Sequence, residues 1–422
     1  MKMQRTCIKD IDEKKDGKDV LLKGWVQDIR NLSSVKFLIL RDYSGVVQTV
    51  AKPKTKVFDA VPKISIESVV EIKGKVKKNK EARKGYEVII DDLKVLNEAE
   101  TLPITVLEKG INIGLSKRLD YRFLDMRKEK VRAVFRIQSE IINAFREFFT
   151  KNDFIEIQAP GIISTATEGG TDLFPVKYFE KNAYLAQSPQ LYKQMAAISL
   201  ERVFSTMPVW RAEKHNTVRH LNESRQMDIE VAFADEIDIM KWMEEVIQFI
   251  VKKVIEKCKD ELKALNVNLK VPKAVYLTYE EAVKKLKGMK YGDDFENEHE
   301  KKLCEMYPDT IIFIYEWPRS LKPFYIMPKD DKVTRGFDAL YKGMEISSGG
   351  QRVHIPKILE EQLRKQNLNP KDFEYYISAF KYGAPKHSGW GLGLERLTMC
   401  LCNLDNIREA CMFPRDRDRL VP

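Results

Sequence analysis

The sequence predicts an α+β protein of two domains: a five-stranded β-barrel over residues 1–102, and a larger domain over 131–422 with an antiparallel sheet and flanking helices. Five short β-branched runs between residues 20 and 96, separated by polar or glycine-containing turns, predict the barrel. Alternating strand-like and helix-like patterns follow. A chain of 422 residues also exceeds the usual size of one hydrophobic core, which favours two domains.

The composition is that of a globular protein, with 43% hydrophobic residues and no apolar run near the roughly 18 residues of a membrane span. The N-terminus MKMQRTCIKDIDEKK lacks the apolar region of a secretory signal, and its acidic residues argue against a transit peptide. The six cysteines are scattered without CxxC pairs, which predicts reduced and mostly buried thiols. We therefore expect a cytoplasmic protein without a membrane partner.

Positive charge is concentrated near the N-terminus. The net charge is +10, and residues 1–102 hold 22 Lys and Arg against 16 Asp and Glu, a difference of +6. Over half of the excess lies in under a quarter of the chain. This distribution predicts a polyanionic partner for the first domain.

The runs that predict the barrel strands are VLLKGWVQDI, VKFLILRD, VVQTVA, SVVEIKGKV and YEVIIDDLKVL. The five-stranded barrel that binds oligonucleotides is the OB-fold. After these runs the chain contains Pro103 and two glycines without clear periodicity, so a hinge is predicted at 103–130.

An amphipathic helix opens the second domain. One face of VRAVFRIQSEIINAFREFFTKND carries apolar residues at helical spacing, namely Val134, Ile137, Ile141, Ile142, Phe145, Phe148 and Phe149. The strand FIEIQAP follows at once. Further along, a Lys- and Glu-rich stretch at about 236–305 predicts a solvated helical insert.

A charged hairpin is predicted at residues 208–233, PVWRAEKHNTVRHLNESRQMDIEVAF. Its first strand is expected to present Arg211 and Glu213 on the same face, with Arg219 in the loop and two carboxylates on the return strand. Cations there suit a triphosphate, and Glu213 suits the exocyclic amine of adenine. The alternative is a solvated hairpin with surface salt bridges.

Two glycine-containing segments follow. The segment GWGLGLERL at 389–397 sets three glycines at period 2 before Arg396, which permits close backbone approach to a ligand at a helix start. Alone it is equally a glycine-rich turn beside a helix. The segment YKGMEISSGGQRVH places Glu345, Ser348 and Arg352 around a Gly-Gly, and a carboxylate with a hydroxyl suits hydrated Mg²⁺.

Together these segments resemble the class II aminoacyl-tRNA synthetases. The helix and strand ending at Pro160 are similar to motif 1 of that family, the WRAE and RHLNE hairpin to motif 2, and GLGLERL to motif 3, in the same order. An OB-fold before the catalytic domain resembles subclass IIb, which handles aspartate, asparagine and lysine. The resemblance implies a class II synthetase catalytic domain, ATP and Mg²⁺ as cofactors, and tRNA as partner.

The resemblance also implies roles for individual residues. The residues implied to bind ATP are Arg211, Ala212, Glu213, Arg219, His220, Leu221, Glu345, Gly393, Leu394, Glu395 and Arg396. The implied catalytic residues among these are Arg211, Glu213 and Arg396. The implied Mg²⁺ ligands are Glu345 and Ser348.

The segment QSPQLYKQ bears on the choice of amino acid. Gln190 and Lys193 lie one helical turn apart, and Arg352 supplies a planar fork for bidentate capture of a carboxylate. Two cations attract a carboxylate and repel a lysine substrate, although Lys193 taken singly is more often a surface lysine. The asparagine and lysine enzymes of the family do not carry this QSPQLYKQ form, so the resemblance points to the aspartyl branch. The implied aspartate-binding set is Glu168, Gln190, Leu191, Tyr192, Lys193, Arg211, Asp228, Tyr325, Ser348 and Arg352.

Glu168 in STATEGGTDLF resembles the residue of the family's mobile loop that meets the substrate ammonium, with Gly169 and Gly170 as the hinge. Taken alone, this segment is an ordinary surface turn. No large inserted domain separates motifs 2 and 3, which favours the archaeal or eukaryotic type of enzyme.

In the barrel, Phe37 and Gln48 match strand positions where the family stacks and hydrogen-bonds the anticodon bases, assisted by Arg30 and Glu87. Without the catalytic match, Phe37 would be taken as a core residue. Members of the family that charge both tRNAs tend to have His in place of Gln27 and Pro near Ala82. The resemblance therefore implies that Gln27, with Arg83, favours strict recognition of tRNA-Asp over tRNA-Asn.

The expected function is ATP-dependent formation of aspartyl-adenylate and transfer of aspartate to tRNA-Asp by a homodimer. The alternatives are an asparaginyl-tRNA synthetase, an aspartyl-tRNA synthetase that also charges tRNA-Asn, and a synthetase-like RNA-binding protein without activity. Other nucleotide and metal motifs are missing: the chain has no GxxxxGK[ST] loop, and HEKKL at His299 lacks a second histidine.

Overall fold

A computed structural model describes residues 3–107, 113–166, 172–214 and 216–422. The chain divides into two compact units, Met1–Lys128 and Glu129–Pro422. Each unit has its own apolar core.

The first unit is a closed five-stranded barrel, as the sequence predicts. Its strands are β1 (Asp19–Asn31), β2 (Lys36–Asp42), β3 (Gly45–Ala51), β4 (Val69–Lys78) and β5 (Tyr86–Asn97), with a short helix α1 (Lys56–Ala60) between β3 and β4. They close in the order β1-β2-β3-β5-β4. Alternate residues of each strand point inward and form one apolar cluster, because side chains alternate across a strand.

The segment predicted as a hinge carries two short helices, α2 (Leu115–Asp120) and α3 (Arg122–Asp125). Ile104, Val106 and Leu124 pack into a small apolar cluster of their own. Beyond α3, Arg127 Nη1 donates to Glu67 Oε2 of the barrel at 2.8 Å. The described residues of 103–130 are therefore packed within the first unit as far as Lys128. The first unit ends at that residue.

The second unit alternates helices and strands. In chain order these are α4 (Glu129–Lys151), β6 (Ile155–Glu156), β7 (Ile162–Ile163), β8 (Pro175–Tyr178), β9 (Lys181–Leu185), α5 (Gln190–Leu200), β10 (Arg202–Trp210), β11 (Glu223–Ala232), α6 (Glu236–Lys257), α7 (Lys259–Leu265), β12 (Lys273–Thr278), α8 (Tyr279–Lys285), α9 (Asn297–Met306), β13 (Thr310–Tyr315), β14 (Gly336–Tyr341), β15 (Met344–Gln351), α10 (Pro356–Lys365), α11 (Glu374–Ala379), β16 (His387–Gly393) and α12 (Leu394–Cys402).

Eight of these strands form one sheet in the order β12-β13-β14-β15-β16-β11-β10-β6, and β7, β9 and β8 form a small second sheet. The six central strands of the large sheet pair antiparallel, whereas β12 and β6 pair parallel at its two edges. The α+β class and the antiparallel sheet with flanking helices are thus confirmed.

Helices α4 and α6 cover the main core of the second unit. The predicted apolar face of α4 is buried there, with Phe145 and Phe149 fully enclosed against Trp390. The prediction of a solvated insert is wrong for α6, whose Ile239, Met243 and six further apolar residues are fully buried. Its many Lys and Glu residues occupy the outer face of an amphipathic helix and mask the apolar one.

No helix within the described residues is long and apolar enough to cross a membrane. All six cysteines lie in the described part of the chain, and none of them forms a disulfide. Four of them, Cys258, Cys304, Cys400 and Cys402, are buried.

Candidate active site in the second unit

The centre of the large sheet is built where β11 pairs with β16. Asp228 lies opposite Gly391, and Glu230 lies opposite Gly389. A Cβ atom at Gly389 would sit 2.1 Å from Glu230 Oε2, and one at Gly391 would sit 2.9 Å from Asp228 Oδ1. These two glycines of GWGLG therefore make room for the two carboxylates of the neighbouring strand.

Two cations meet these carboxylates. Lys193 of α5 donates from Nζ to Asp228 Oδ1 at 2.8 Å and to the Trp390 carbonyl oxygen at 3.0 Å. Arg352, directly after β15, donates from Nε to Glu230 Oε1 at 2.9 Å and from Nη2 to Glu230 Oε2 at 3.2 Å. None of the four charged residues is more than 2% exposed.

The charges of this cluster balance. The prediction treated Lys193 and Arg352 as two cations that need an anion from the substrate, but it left out Glu230 as their partner. With both carboxylates ionised, the cluster has no net charge. A ligand must therefore be selected by hydrogen-bond geometry as well as by charge.

The Asp228 carboxylate has the least favourable environment in the cluster. Burial raises the pKa of its carboxyl above the ordinary value, and the charge of Glu230 adds to this, while the charge of Lys193 opposes it. Its Oδ2 atom is buried and has no hydrogen-bond partner among the described residues. An acceptor of this kind suits an ammonium group.

A layer of neutral polar side chains surrounds the cluster. The Gln194 amide accepts bonds at Oε1 from Gln190 Nε2 and Tyr376 Oη, each at 2.8 Å. Its Nε2 donates to His387 Nε2 at 3.0 Å, which leaves His387 Nδ1–H to donate to the Pro385 carbonyl oxygen, also at 3.0 Å. Burial lowers the pKa of His387, so it is neutral in this network.

A separate cavity of about 600 Å³ lies beside α9 and the start of α12. It collects four residues of the predicted ATP set from three distant segments, namely Arg219, His220, Glu345 and Arg396. Arg396 Nη1 donates to the Glu345 carbonyl oxygen at 2.8 Å and lies 3.5 Å from its carboxylate. The remaining lining comes mostly from the first turn of α9 and the residues before it.

The hairpin of β10 and β11 confirms the predicted turn but corrects one detail. Strand β10 ends at Trp210, so Arg211 and Glu213 lie in the connecting loop and not on a strand face. Asn222, which the sequence reasoning missed, donates from Nδ2 to the carbonyl oxygens of Arg211 at 2.7 Å and Glu213 at 2.9 Å. This amide closes the loop and holds the two residues together, with their side chains 4.0 Å apart.

Helix α12 begins at Leu394, as predicted, and Glu395 in its first turn points away from the cavity. Its carboxylate accepts the Arg225 backbone N–H at 3.2 and 3.0 Å. Burial raises the pKa of Glu395 to about 7. This side chain therefore ties α12 to β11, and any contact with ATP would come from its backbone.

Comparison with known families accounts for both units. The family described as tRNA synthetases class II (D, K and N) matches residues 114–417, and the family described as OB-fold nucleic acid binding domain matches residues 20–96. The chain belongs to the class II tRNA synthetases.

Full-length relatives of this synthetase carry two kinds of name. It is 47% identical to an aspartate–tRNA(Asp/Asn) ligase of Methanopyrus kandleri and 46% identical to an aspartate–tRNA(Asp) ligase of Pyrococcus furiosus, in both cases over 98% of each chain. A solved asparaginyl-tRNA synthetase of Pyrococcus horikoshii, in complex with asparaginyl-adenylate, has a TM-score of 0.93 at 34% identity, covering 99% of this chain and 100% of that one.

The structure of this synthetase brings many of the predicted aspartate-binding residues together. Lys193, Asp228 and Arg352 meet in the buried cluster, and the Tyr325 ring lies 5.6 Å from the Arg352 guanidinium carbon. Leu191 and Tyr192 lie on α5 beside Lys193, while Ser348 is exposed on β15 opposite Gly391. Glu168, Gly169 and Gly170 lie outside the described residues.

The barrel residues of the synthetase lie on its outer face or rim. Arg30 pairs with Phe37 across β1 and β2, and Phe37 is half-buried and outside the apolar cluster that fills the barrel. Gln48 donates to Glu87 Oε2 at 3.1 Å.

The proposed tRNA-discrimination pair also lies in the barrel. Gln27 sits at an irregularity in the β1–β2 register, and its buried Oε1 atom has no partner in the described part of the chain. Arg83 is exposed.

The residues that sequence reasoning missed are mostly partners of predicted ones. Gln194 stands one residue beyond Lys193, at the end of the quoted QSPQLYKQ segment, and Glu230 stands two residues beyond Asp228 on the same strand face. Period-2 spacing already placed Glu230 with Asp228 on the return strand, but the prediction gave Glu230 no role in the site. Nothing in the local sequence shows that Arg352, more than 120 residues later, binds Glu230.

Proposed function

We propose that this synthetase is an aspartate–tRNA ligase that forms aspartyl-adenylate from aspartate and ATP and transfers aspartate to tRNA-Asp. One observation carries the proposal. Glu230 occupies the Nε and Nη2 side of Arg352, and among the described residues the two Nη1 N–H groups and the second Nη2 N–H have no partner. The Nη1 and Nη2 edge of the guanidinium can therefore hold a second carboxylate, that of the substrate, in bidentate fashion.

The same edge discriminates among the three amino acids of the family. An aspartate side chain offers two oxygen acceptors to the Arg352 fork. An asparagine side chain offers only one oxygen, and its NH₂ group would face the N–H donors of Arg352 without an acceptor. A lysine side chain would bring a third cation beside Lys193 and Arg352, which is unfavourable. The names of the full-length relatives support the aspartate assignment.

The substrate α-amino group suits Asp228. Its Oδ2 atom is the one buried carboxylate oxygen of the Lys193, Asp228, Glu230 and Arg352 cluster that has no hydrogen-bond partner in the described chain. An ammonium donor there would supply the missing bond, because an unpaired buried acceptor costs free energy. Aspartate would then be held at both ends within the cluster.

The cavity beside α9 is the proposed ATP site. Arg219 and Arg396 face it, and Arg211 lies on the preceding loop at 38% side-chain exposure. In the proposed reaction the aspartate α-carboxylate attacks the α-phosphorus of ATP and pyrophosphate leaves. Arg211 would stabilise the charge that develops on the α-phosphate.

Class II synthetases use ATP and Mg²⁺. Glu345 lines the cavity and Ser348 is exposed on the same strand, so a carboxylate and a hydroxyl oxygen are present there. Oxygen donors of this kind, completed by phosphates and water, fit the preference of Mg²⁺. When bound, the ion would neutralise phosphate charge.

The direct test is aminoacylation of separate tRNA-Asp and tRNA-Asn transcripts with labelled aspartate or asparagine. We expect aspartate on tRNA-Asp and little on tRNA-Asn, on the basis of Gln27 and Arg83. Aspartate on both transcripts would retain the ligase and overturn strict recognition, as the mixed names of the relatives allow. Charging of either tRNA with asparagine would contradict the proposal that Arg352 selects a side-chain carboxylate.

We further propose that the barrel reads the anticodon through Phe37, Gln48, Arg30 and Glu87. Replacing Phe37 with Ala is expected to raise the Kd for tRNA-Asp by roughly 5- to 150-fold, because stacking of one base on an aromatic ring contributes about 1–3 kcal/mol. ATP–pyrophosphate exchange with aspartate should not change.

Tyr43→Ala is the control for Phe37→Ala. Tyr43 is another barrel aromatic, 54% exposed in the turn between β2 and β3, and its loss should leave tRNA affinity within about twofold. Equal loss in both variants would contradict a specific role for Phe37.

A homodimer in the cytoplasm is also proposed. The family resemblance of α4 and β6 supports the dimer, and β6 is the outer strand of the large sheet, with Ile155 48% exposed. Sedimentation of the pure protein at monomer mass would contradict it.

A further inference from the structure

Arg219 is clamped on the wall of the proposed ATP cavity. Its Nη1 atom donates to Asn297 Oδ1 and to Glu300 Oε2, both at 2.6 Å, and its Nη2 atom donates to the Gly343 carbonyl oxygen at 2.8 Å. The Arg219 and Glu300 side chains are 12% and 11% exposed. A side chain so held is fixed before any ligand arrives.

The clamp is built from packed elements. Asn297 and Glu300 stand three residues apart on the first turn of α9, so they face the same side of that helix. Gly343 lies in the two-residue turn between β14 and β15, where Lys342 and Gly343 have φ of 48° and 87°. Positive φ at both positions defines the tight turn that presents this carbonyl.

Two of the five guanidinium N–H groups of Arg219 remain available. Nε–H and the second N–H of Nη2 have no partner within the described residues, and the side chain lines the cavity. Glu300 and Glu345 balance the charges of Arg219 and Arg396 around the same space.

We propose that Glu300 and Asn297 are positioning residues for ATP, which fix Arg219 so that its remaining N–H groups meet the phosphates. The inference rests on the proposed function, because it takes this cavity as the ATP site. A flexible arginine loses side-chain freedom when it binds a ligand, and one that is already fixed loses less. Loss of the clamp therefore weakens ATP binding and leaves aspartate binding unchanged.

The test is ATP–pyrophosphate exchange with Glu300→Ala. We expect the KM for ATP to rise about tenfold, the effect of losing one charge-assisted bond, while the KM for aspartate stays within twofold. Asn297→Ala should show a smaller rise in the same parameter. Glu300→Gln keeps an oxygen acceptor for Arg219 and should recover most of the ATP affinity.

Glu305→Ala is the matched control. Glu305 is exposed on the same helix α9, and its replacement removes the same charge, but Glu305 does not line the cavity and makes no contact with Arg219. It should leave both KM values unchanged. A melting temperature for each variant separates a local effect from unfolding.

The outcomes separate this inference from the proposed function. Wild-type protein that shows no exchange with aspartate would contradict the proposed function. An active wild type with an unchanged or lowered KM for ATP in Glu300→Ala would overturn only the clamp. Equal rises in the KM for ATP in Glu300→Ala and Glu305→Ala, or equal changes in the KM values for ATP and aspartate, would also overturn the clamp.

Discussion

Replacing Lys193 with Met is expected to abolish aspartate activation and to lower the free energy of unfolding by roughly 3–5 kcal/mol. Lys193 is 2% exposed, and its ammonium group forms the ion pair with Asp228 in the buried cluster. Without it, a carboxylate whose pKa is already raised by burial loses its counter-charge. The measurements are chemical denaturation and ATP–pyrophosphate exchange with aspartate.

The double variant Lys193→Met with Asp228→Asn separates stability from function. It removes both charges of the pair, so much of the lost stability should return while exchange remains absent. Lys241→Met is the control, since Lys241 is exposed on α6. Near-normal exchange in Lys193→Met would show that the cluster does not bind the substrate.

Replacing Arg211 with Ala is expected to reduce adenylate formation by roughly 10³-fold without loss of stability. The Arg211 side chain is 38% exposed and its one ion-pair partner among the described residues, Glu213, lies 4.0 Å away, so we expect the fold not to depend on it. The affinity for tRNA-Asp should be unchanged, because the proposed anticodon contacts lie in the barrel. Exchange kinetics and a tRNA binding titration provide the two measurements.

Arg225→Ala is the matched control for Arg211→Ala. Arg225 belongs to the same hairpin, is 47% exposed at its side chain and pairs with Glu223 on the outside. Normal exchange in Arg225→Ala with loss in Arg211→Ala would assign the effect to the loop position. Normal exchange in Arg211→Ala would refute its role at the α-phosphate.

The glycines of GWGLG make room for a close approach, as predicted, but the group that approaches differs from the predicted one. Their spacing predicted close approach to a ligand, whereas Gly389 and Gly391 admit the Glu230 and Asp228 carboxylates of the neighbouring strand. In both accounts, glycine at these positions allows a close approach. The group that approaches is fixed by the pairing of β16 with β11.

The sequence by itself determined the barrel, the helix α4, the hairpin of β10 and β11, and the family, because these depend on periodicity and on local motifs. It also supplied most members of the buried cluster. Only the tertiary structure decided their partners, since Lys193, Glu230 and Arg352 come from a helix, a strand and a strand end far apart in the chain. The same holds for α6 in the core and for the contact of Arg219 with Glu300, because burial and ion pairing depend on which surfaces the fold brings together.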